Sequence, residues 1–325
     1  MVGRGLAGKS GAMTPETRRL ALDADEFEAL YRRLRQVPSW GPADRRGALN
    51  HLTPARVLAA ASEIRLGQTV SLAAPIEMSR TPDDPGPAVH MMTGPTGDQA
   101  NPDGLTFAQD ALGINVHGNV DSHMDALCHA MYRKRLYNGV PSDMVTARGA
   151  RELSIEVARD GIVGRGVLLD IPRLRGVPWL EPGDVVTATE LASAAESQHV
   201  TVDPGDLLFV RVGHRRRRDE VGPWDAARAR AGLHPAALEF IAERQVAALG
   251  SDGNSDAAPS PAEGVELPVH VLAINALGVH LLDYLQFDDL VPLCEAAGRW
   301  SFFCAIAPLR LPRGTGSPVN PIAVV

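Results

Sequence analysis

The sequence predicts an α/β protein, because short apolar strand-like runs alternate with amphipathic helical stretches along most of its length. The run Gly166-Val167-Leu168-Leu169-Asp170 is hydrophobic at consecutive positions, as expected of a strand covered on both faces. No internal repeat or linker divides the 325 residues, so a single domain around a central mixed sheet is expected.

The first 22 residues are small, polar and Gly-containing and read as a flexible tail, with the domain running from 23 to 325. Asp23 is positioned to cap a helix whose Phe27, Leu30, Tyr31 and Leu34 share one face, and Thr53-Pro54 opens a second helix through Ile64. Gln68 to Met78 reads as a strand. The Pro-, Gly- and Asp-rich stretch from Arg80 to Gly104 reads as a lid or as a surface loop without contact to substrate. Beyond it the pattern predicts a strand near Ile114–His117, a helix from about Asp125, a strand at Gly166–Asp170, a helix at Thr189–Gln198 and a strand at Asp206–Val212. The alternation continues with a helix at Pro235–Arg244, a strand at Val246–Gly250, a helix at Val269–Ala276, a strand at Val279–Asp283 and a helix at Phe287–Ala297. The Pro and Gly placement in Gly314–Pro321 implies defined turns packed against the body.

A formal charge of −7 argues against a nucleic-acid binder, since phosphate recognition needs a broad basic surface. The one dense basic run, Arg215-Arg216-Arg217-Arg218, reads as a solvated loop or a partner contact. Cys128, Cys294 and Cys304 offer neither a disulfide framework nor a paired zinc motif and read as small buried apolar groups. With no apolar leader and no membrane-length run, a cytoplasmic protein without a membrane partner is expected.

The chemistry concentrates in Val120-Asp121-Ser122-His123-Met124-Asp125-Ala126-Leu127-Cys128-His129. His123 and Asp125 share a face if the chain is extended, and Asp125 and His129 share one if a helix begins there, so a strand-to-helix junction would converge all three. Imidazole and carboxylate together suit zinc, manganese or iron.

This segment resembles the cyclase family, which includes kynurenine formamidase and isatin hydrolase and whose signature runs approximately His-x-Gly-Thr-His-x-Asp-x-Pro-x-His. Ser122 stands for the Thr, while His123, Asp125 and His129 match. Asp-Ala-Leu-Cys-His, with Leu127 for the usual Pro, is similar to the longer actinobacterial and fungal branch. Blocks at 164–172, 203–211, 249–252, 267–270 and 310–325 extend the resemblance over most of the chain after Gln36. It implies a swivelling β/β/α fold, a homodimer or homotetramer, and one divalent ion, Zn2+ or Mn2+. It further implies His123 and Asp125 as ligands, His129 as acid/base, and His270 and Asp283 completing the metal site.

The departures from the family pattern are informative. Asn119 stands where the first metal-binding His would be, which points away from a two-metal site; Asp121 and Ser122 replace a His-Thr pair. These three, with His117 and Asp252, are candidates for contacts to substrate or to the ligands. Asp252 either orients a ligand His or caps a turn. His117 and His234 either line a pocket or bond backbone, whereas His51, His199, His214 and His280 read as structural. Gly166 and Gly205 read as turn or packing residues, since no phosphate-loop pattern accompanies them.

The expected activity is hydrolysis of an amide, lactam or ester of a small cyclic or aromatic metabolite. The alternatives are a metal-dependent dehydration, cyclisation or isomerisation in natural-product biosynthesis, and a non-catalytic ligand-binding protein on the same fold.

Overall fold

A computed structural model describes residues 20–325. The expected tail over 1–22 therefore lies almost wholly outside the described residues. Its last three members are held: the Leu20 carbonyl accepts from His234 Nε2 at 2.7 Å, and Leu22 bridges Ala262.

Helix α1 (Ala24–Leu34) begins where the sequence places it, with Asp23 and Glu26 forming a reciprocal capping box, and it buries Phe27, Leu30, Tyr31 and Leu34. Helix α2 (Pro54–Ala61) starts at the Thr53 cap and stops short of Ile64. Strand β1 (Thr69–Ser71) is much shorter than the 68–78 expectation, because the chain leaves the sheet once Ala73 bridges Leu285. Next come β2 (Val89–Met92) and β3 (Asp110–Gly113), which pair as an isolated antiparallel hairpin with all eight positions exposed. The strand expected at Ile114–His117 is thus displaced upstream, and His117 lies in the turn that follows.

Strand β4 (His123–Asp125) carries the motif. No helix follows Asp125, because long-range partners take the backbone donors: Ala126 N–H bonds the Thr315 carbonyl and Cys128 N–H bonds that of Leu153. A tight turn closed by His129 N–H to the Ala126 carbonyl takes its place.

The remainder keeps the expected alternation of strands and helices and adds short elements that the sequence did not mark. Strands β5 (Val145–Thr146) and β6 (Gly149–Ala150) form a small ribbon, then β7 (Ile162–Asp170) runs into the short helix α3 (Ile171–Arg175). There follow β8 (Val185–Val186), α4 (Ala188–Ser197), β9 (Leu207–Arg211) and α5 (His214–Val221). Next are β10 (Gly232–Leu233), α6 (Ala237–Glu243) and β11 (Ala248–Ser251). A helical turn α7 (Pro268–His270) continues as a π-helical stretch (Val271–Leu277) into β12 (His280–Asp283). Helix α8 (Leu290–Ala297), β13 (Ser301–Ile306), β14 (Gly316–Pro318) and β15 (Ile322–Val324) complete the chain.

Nine strands form one mixed sheet in the order β1-β15-β13-β7-β9-β11-β12-β4-β14. Strands β7, β9, β11 and β12 are parallel neighbours, and every other pairing in it is antiparallel. The parallel centre is fully buried, as its uniformly apolar strands require: Leu168, Leu208, Phe209 and Leu281 have no exposed surface. Gly166 lets Phe302 of β13 lie against the β7 backbone, since a Cβ there would sit 2.3 Å from the ring. The block Gly314–Pro321 packs as expected, with β14 beside β4.

The basic run is a correction to the sequence reading. It forms α5, and the Arg215 guanidinium is buried, donating to the carbonyls of Val120, Tyr284 and Leu285. Those carbonyls belong to the segments entering β4 and leaving β12, so a cation that composition assigns to solvent ties together the two strands that carry the site.

A candidate metal centre

β4 lies between β12 and β14, with His123 opposite both Asp283 and Pro318, and Asp125 opposite Gly316. The two-residue period turns His123 and Asp125 to one face, while Met124 between them is fully buried in the core. Asp283 thus reaches the same face from the neighbouring strand. His270 enters from α7, His117 from the turn before β4 and His129 from the turn after it.

Asp125 is the hub. Its Oδ1 lies 2.9 Å from His117 Nδ1, 3.8 Å from His123 Nε2 and 4.0 Å from His129 Nε2, and its Oδ2 lies 3.3 Å from His270 Nε2. Asp283 Oδ2 stands 3.6 Å from His270 Nε2, while its Oδ1 accepts from the Ser255 hydroxyl at 2.6 Å. The structure therefore brings His123, Asp125, His129, His270 and Asp283 together, and His117 with them.

Other candidates point elsewhere. Asp121 Oδ1 accepts from Glu77 N–H, and the Ser122 hydroxyl accepts from Ala74 N–H while donating to the Tyr284 carbonyl. Both hold backbone rather than face the cluster. Asp252 caps a turn: its two carboxylate oxygens take Val212 N–H and Gly213 N–H, and no ligand His bonds it among the described residues. Asn119 is half-buried, and among the described residues its amide makes no hydrogen bond. His234 bonds backbone, and His280 supports the site from behind through Nδ1 to the Asp125 carbonyl at 2.8 Å.

Residues that sequence reasoning missed do the orienting. Asp256 is fully buried; it accepts from the backbone N–H groups of Val269 and His270 and holds His270 Nδ1 at 2.6 Å. Thr315 Oγ1 meets His117 Nε2 at 2.9 Å. Neither belongs to a local motif, and each lies far in sequence from the segment 120–129.

The Cyclase family model matches residues 47–256, more than half of the chain. The chain belongs to the cyclase family. A crystal structure described as a novel cyclase is 34% identical, with a TM-score of 0.79 over 88% of this chain and 96% of that one. Isatin hydrolase A from Ralstonia solanacearum shares the fold at 22% identity and a TM-score of 0.56, over 83% of this chain and 97% of that one. An isatin hydrolase from Roseibium aggregatum is 25% identical over 152 residues, 44% of this chain and 53% of that protein, so the chain spans about half the length of that curated relative.

The donor set of this cyclase-family chain fits a divalent ion. Asp125 Oδ2 and Asp283 Oδ2 are buried without a hydrogen-bond partner, which is costly for carboxylates unless a cation sits beside them. Charge within the cluster points the same way. Burial pushes the Asp125 carboxyl up, but His129, His117, His270 and His123 overcome it and hold the group well below the carboxylate range. Burial pushes the Asp283 carboxyl up, with the Asp125 charge adding to that and His270 opposing it. Burial also pushes His129 down to about 4, Asp125 only partly opposing, so this imidazole is neutral near pH 7 and free to accept a proton.

Among the described residues, no helix is long and apolar enough to cross a membrane. All three cysteines are buried and free, and burial pushes the Cys128 thiol up to about 12, which fits a packing role.

Proposed function

We propose that the chain is a metal-dependent hydrolase acting on an amide, lactam or ester of a small cyclic or aromatic metabolite. The observation that carries this reading is the convergence of imidazoles on two buried carboxylates, each with one unpartnered oxygen turned into the cluster. His123, Asp125, His270 and Asp283 would hold one divalent ion, Zn2+ or Mn2+. Such an ion supplies Lewis acidity, acidifying water and polarising a carbonyl. His129 accepts the proton of the attacking water through Nε2 and returns it to the leaving nitrogen or oxygen. Asp256 and the Asp121 carbonyl fix the rings of His270 and His123 so that both keep Nε2 towards the centre.

Support for the substrate class comes from relatives named as isatin hydrolases, enzymes named for a cyclic amide. The test is metal analysis of the purified protein joined to turnover of isatin, N-formylkynurenine and simple esters in ¹⁸O-labelled water. Metal-dependent turnover with label in the product supports hydrolysis. Turnover without label would indicate dehydration or ring closure instead, and full activity after exhaustive chelation would reject the metal.

The partner we propose besides substrate is a second copy of the chain. The β2–β3 hairpin is a two-stranded sheet with both faces exposed, an arrangement that is marginal in water unless something packs on it. Val89, Met91, Met92, Leu105, Phe107 and Leu112 on this arm are each about half exposed or more. Together they present on the order of 600 Å2, so two copies meeting there would bury roughly 1,200 Å2, within the range of a specific interface.

A further inference from the structure

The cluster contains one imidazole, that of His117, to which the family resemblance assigns no role as a ligand or proton carrier. In this chain Asn119 occupies the position of the family's first metal-binding His, and an amide oxygen is the weaker donor. His117, two residues earlier, instead brings its ring to the centre.

The histidines divide by what holds their second ring nitrogen. His123 Nδ1 bonds the Asp121 carbonyl at 2.8 Å, His270 Nδ1 bonds Asp256 Oδ2 at 2.6 Å, and His117 Nε2 bonds Thr315 Oγ1 at 2.9 Å. His123 and His270 turn their other nitrogens to Asp125 at 3.8 and 3.3 Å, whereas His117 Nδ1 meets Asp125 Oδ1 at hydrogen-bond distance, 2.9 Å, as neighbouring donors to one cation would. An imidazole that binds metal characteristically donates its outer N–H to a fixed acceptor in this way. His129 differs: it is 28% exposed and, among the described residues, neither of its nitrogens has a hydrogen-bond partner, as suits a group that must gain and lose a proton.

The backbone is adapted to His117. Gly316, opposite Asp125 in the sheet, would with a Cβ stand 2.7 Å from His117 Cε1 and 2.6 Å from the Met124 carbonyl. The ring stacks on His129 at 3.8 Å between centroids and 13° between planes, which places a ligand against the proton carrier. His117, His123 and Asp125 each offer a donor atom within 4.8 Å of the others.

We propose that His117 is a metal ligand, replacing the imidazole absent at position 119. It binds through Nδ1, in the tautomer whose Nε2–H is donated to Thr315 Oγ1. This rests on the metal reading above.

The test loads the full chain with Zn2+ and with Co2+, measures affinity by chelator competition and records the visible Co2+ spectrum. His117→Ala is expected to weaken binding at least ~10-fold and alter the Co2+ bands, and adding Asn119→His to that variant to recover part of both. Thr315→Val, which keeps every imidazole, is expected to weaken binding by ~10-fold. Parental affinity and spectrum in His117→Ala overturn the proposal; if that variant does not fold, the same result in Thr315→Val does so. A parent chain that binds neither ion overturns the metal reading itself.

Discussion

At the residue scale, the motif fixes which side chains meet but not how they divide the work. His129 lacks the rigid outer bond that holds its neighbours, and burial keeps it neutral. His129→Ala is therefore expected to retain metal near the parental level while turnover falls ~10²–10⁴-fold, checked by metal analysis beside single-turnover rates. Loss of metal in proportion to activity would make His129 a ligand. His214 supplies a residue-scale prediction about stability. Burial, reinforced by Arg215, pushes its imidazole down to about 3, and its ring is packed by Trp224 and Tyr284. The folded chain thus binds fewer protons than the unfolded chain between about pH 3 and the unfolded value near 6.5. The stability linked to this group is fully present above pH 6.5 and is lost as pH falls through that window. Going from pH 6.5 to 5.5, urea unfolding should show the parent losing about 1 kcal/mol more than His214→Phe. Equal slopes would show that His214 takes up its proton as readily in the fold as in the unfolded chain.

At the element scale, the site depends on β4 being gripped from both sides. The sequence left His123-Met124-Asp125 open, with His123 and Asp125 sharing a face only if the chain is extended there, and the structure makes it a strand. What followed it did not announce itself: the spacing of Asp125 and His129 suits a helix equally well, and only the distant carbonyls of Thr315 and Leu153 decide for a turn. Gly316 is where this grip is tightest. Gly316→Ala is expected to lower stability by about 1–3 kcal/mol, the usual cost of forcing atoms into a packed site, and to weaken metal retention with it. Denaturant midpoints and metal content, measured together, check this; a variant with both unchanged would show that β14 can move away from β4 at little cost. Arg215 makes the same point about helices. Its neighbours Arg216, Arg217 and Arg218 pair with Glu220, Glu181, Asp83 and Glu77, whereas Arg215 alone turns inward.

At the scale of the whole molecule, the exposed arm and the C-terminal strands carry the predictions. If the arm packs against a second copy, Met91→Asp combined with Leu112→Asp should convert an oligomer to monomer in light scattering, with little change in monomer secondary structure. A parent chain that is monomeric at micromolar concentration would refute that assembly. Truncation after Leu311 removes β14 from beside β4 and β15 from between β1 and β13. It is expected to leave an insoluble chain, read as loss of soluble yield.

The fold class, the order of most helices and strands, and the segment 120–129 were legible along the chain, because these are written in local periodicity, caps and a contiguous motif. Tertiary structure alone decided the rest. Asp256 holds His270 from 14 residues away, and Thr315 holds His117 from 198 residues away, so neither pairing has a local pattern to announce it. The burial of Arg215, the turn after Asp125 and the redirection of Asp121, Ser122 and Asp252 to backbone share one physical cause. In a packed interior each buried donor and acceptor must find a partner, and those partners come from whichever strands the sheet places alongside.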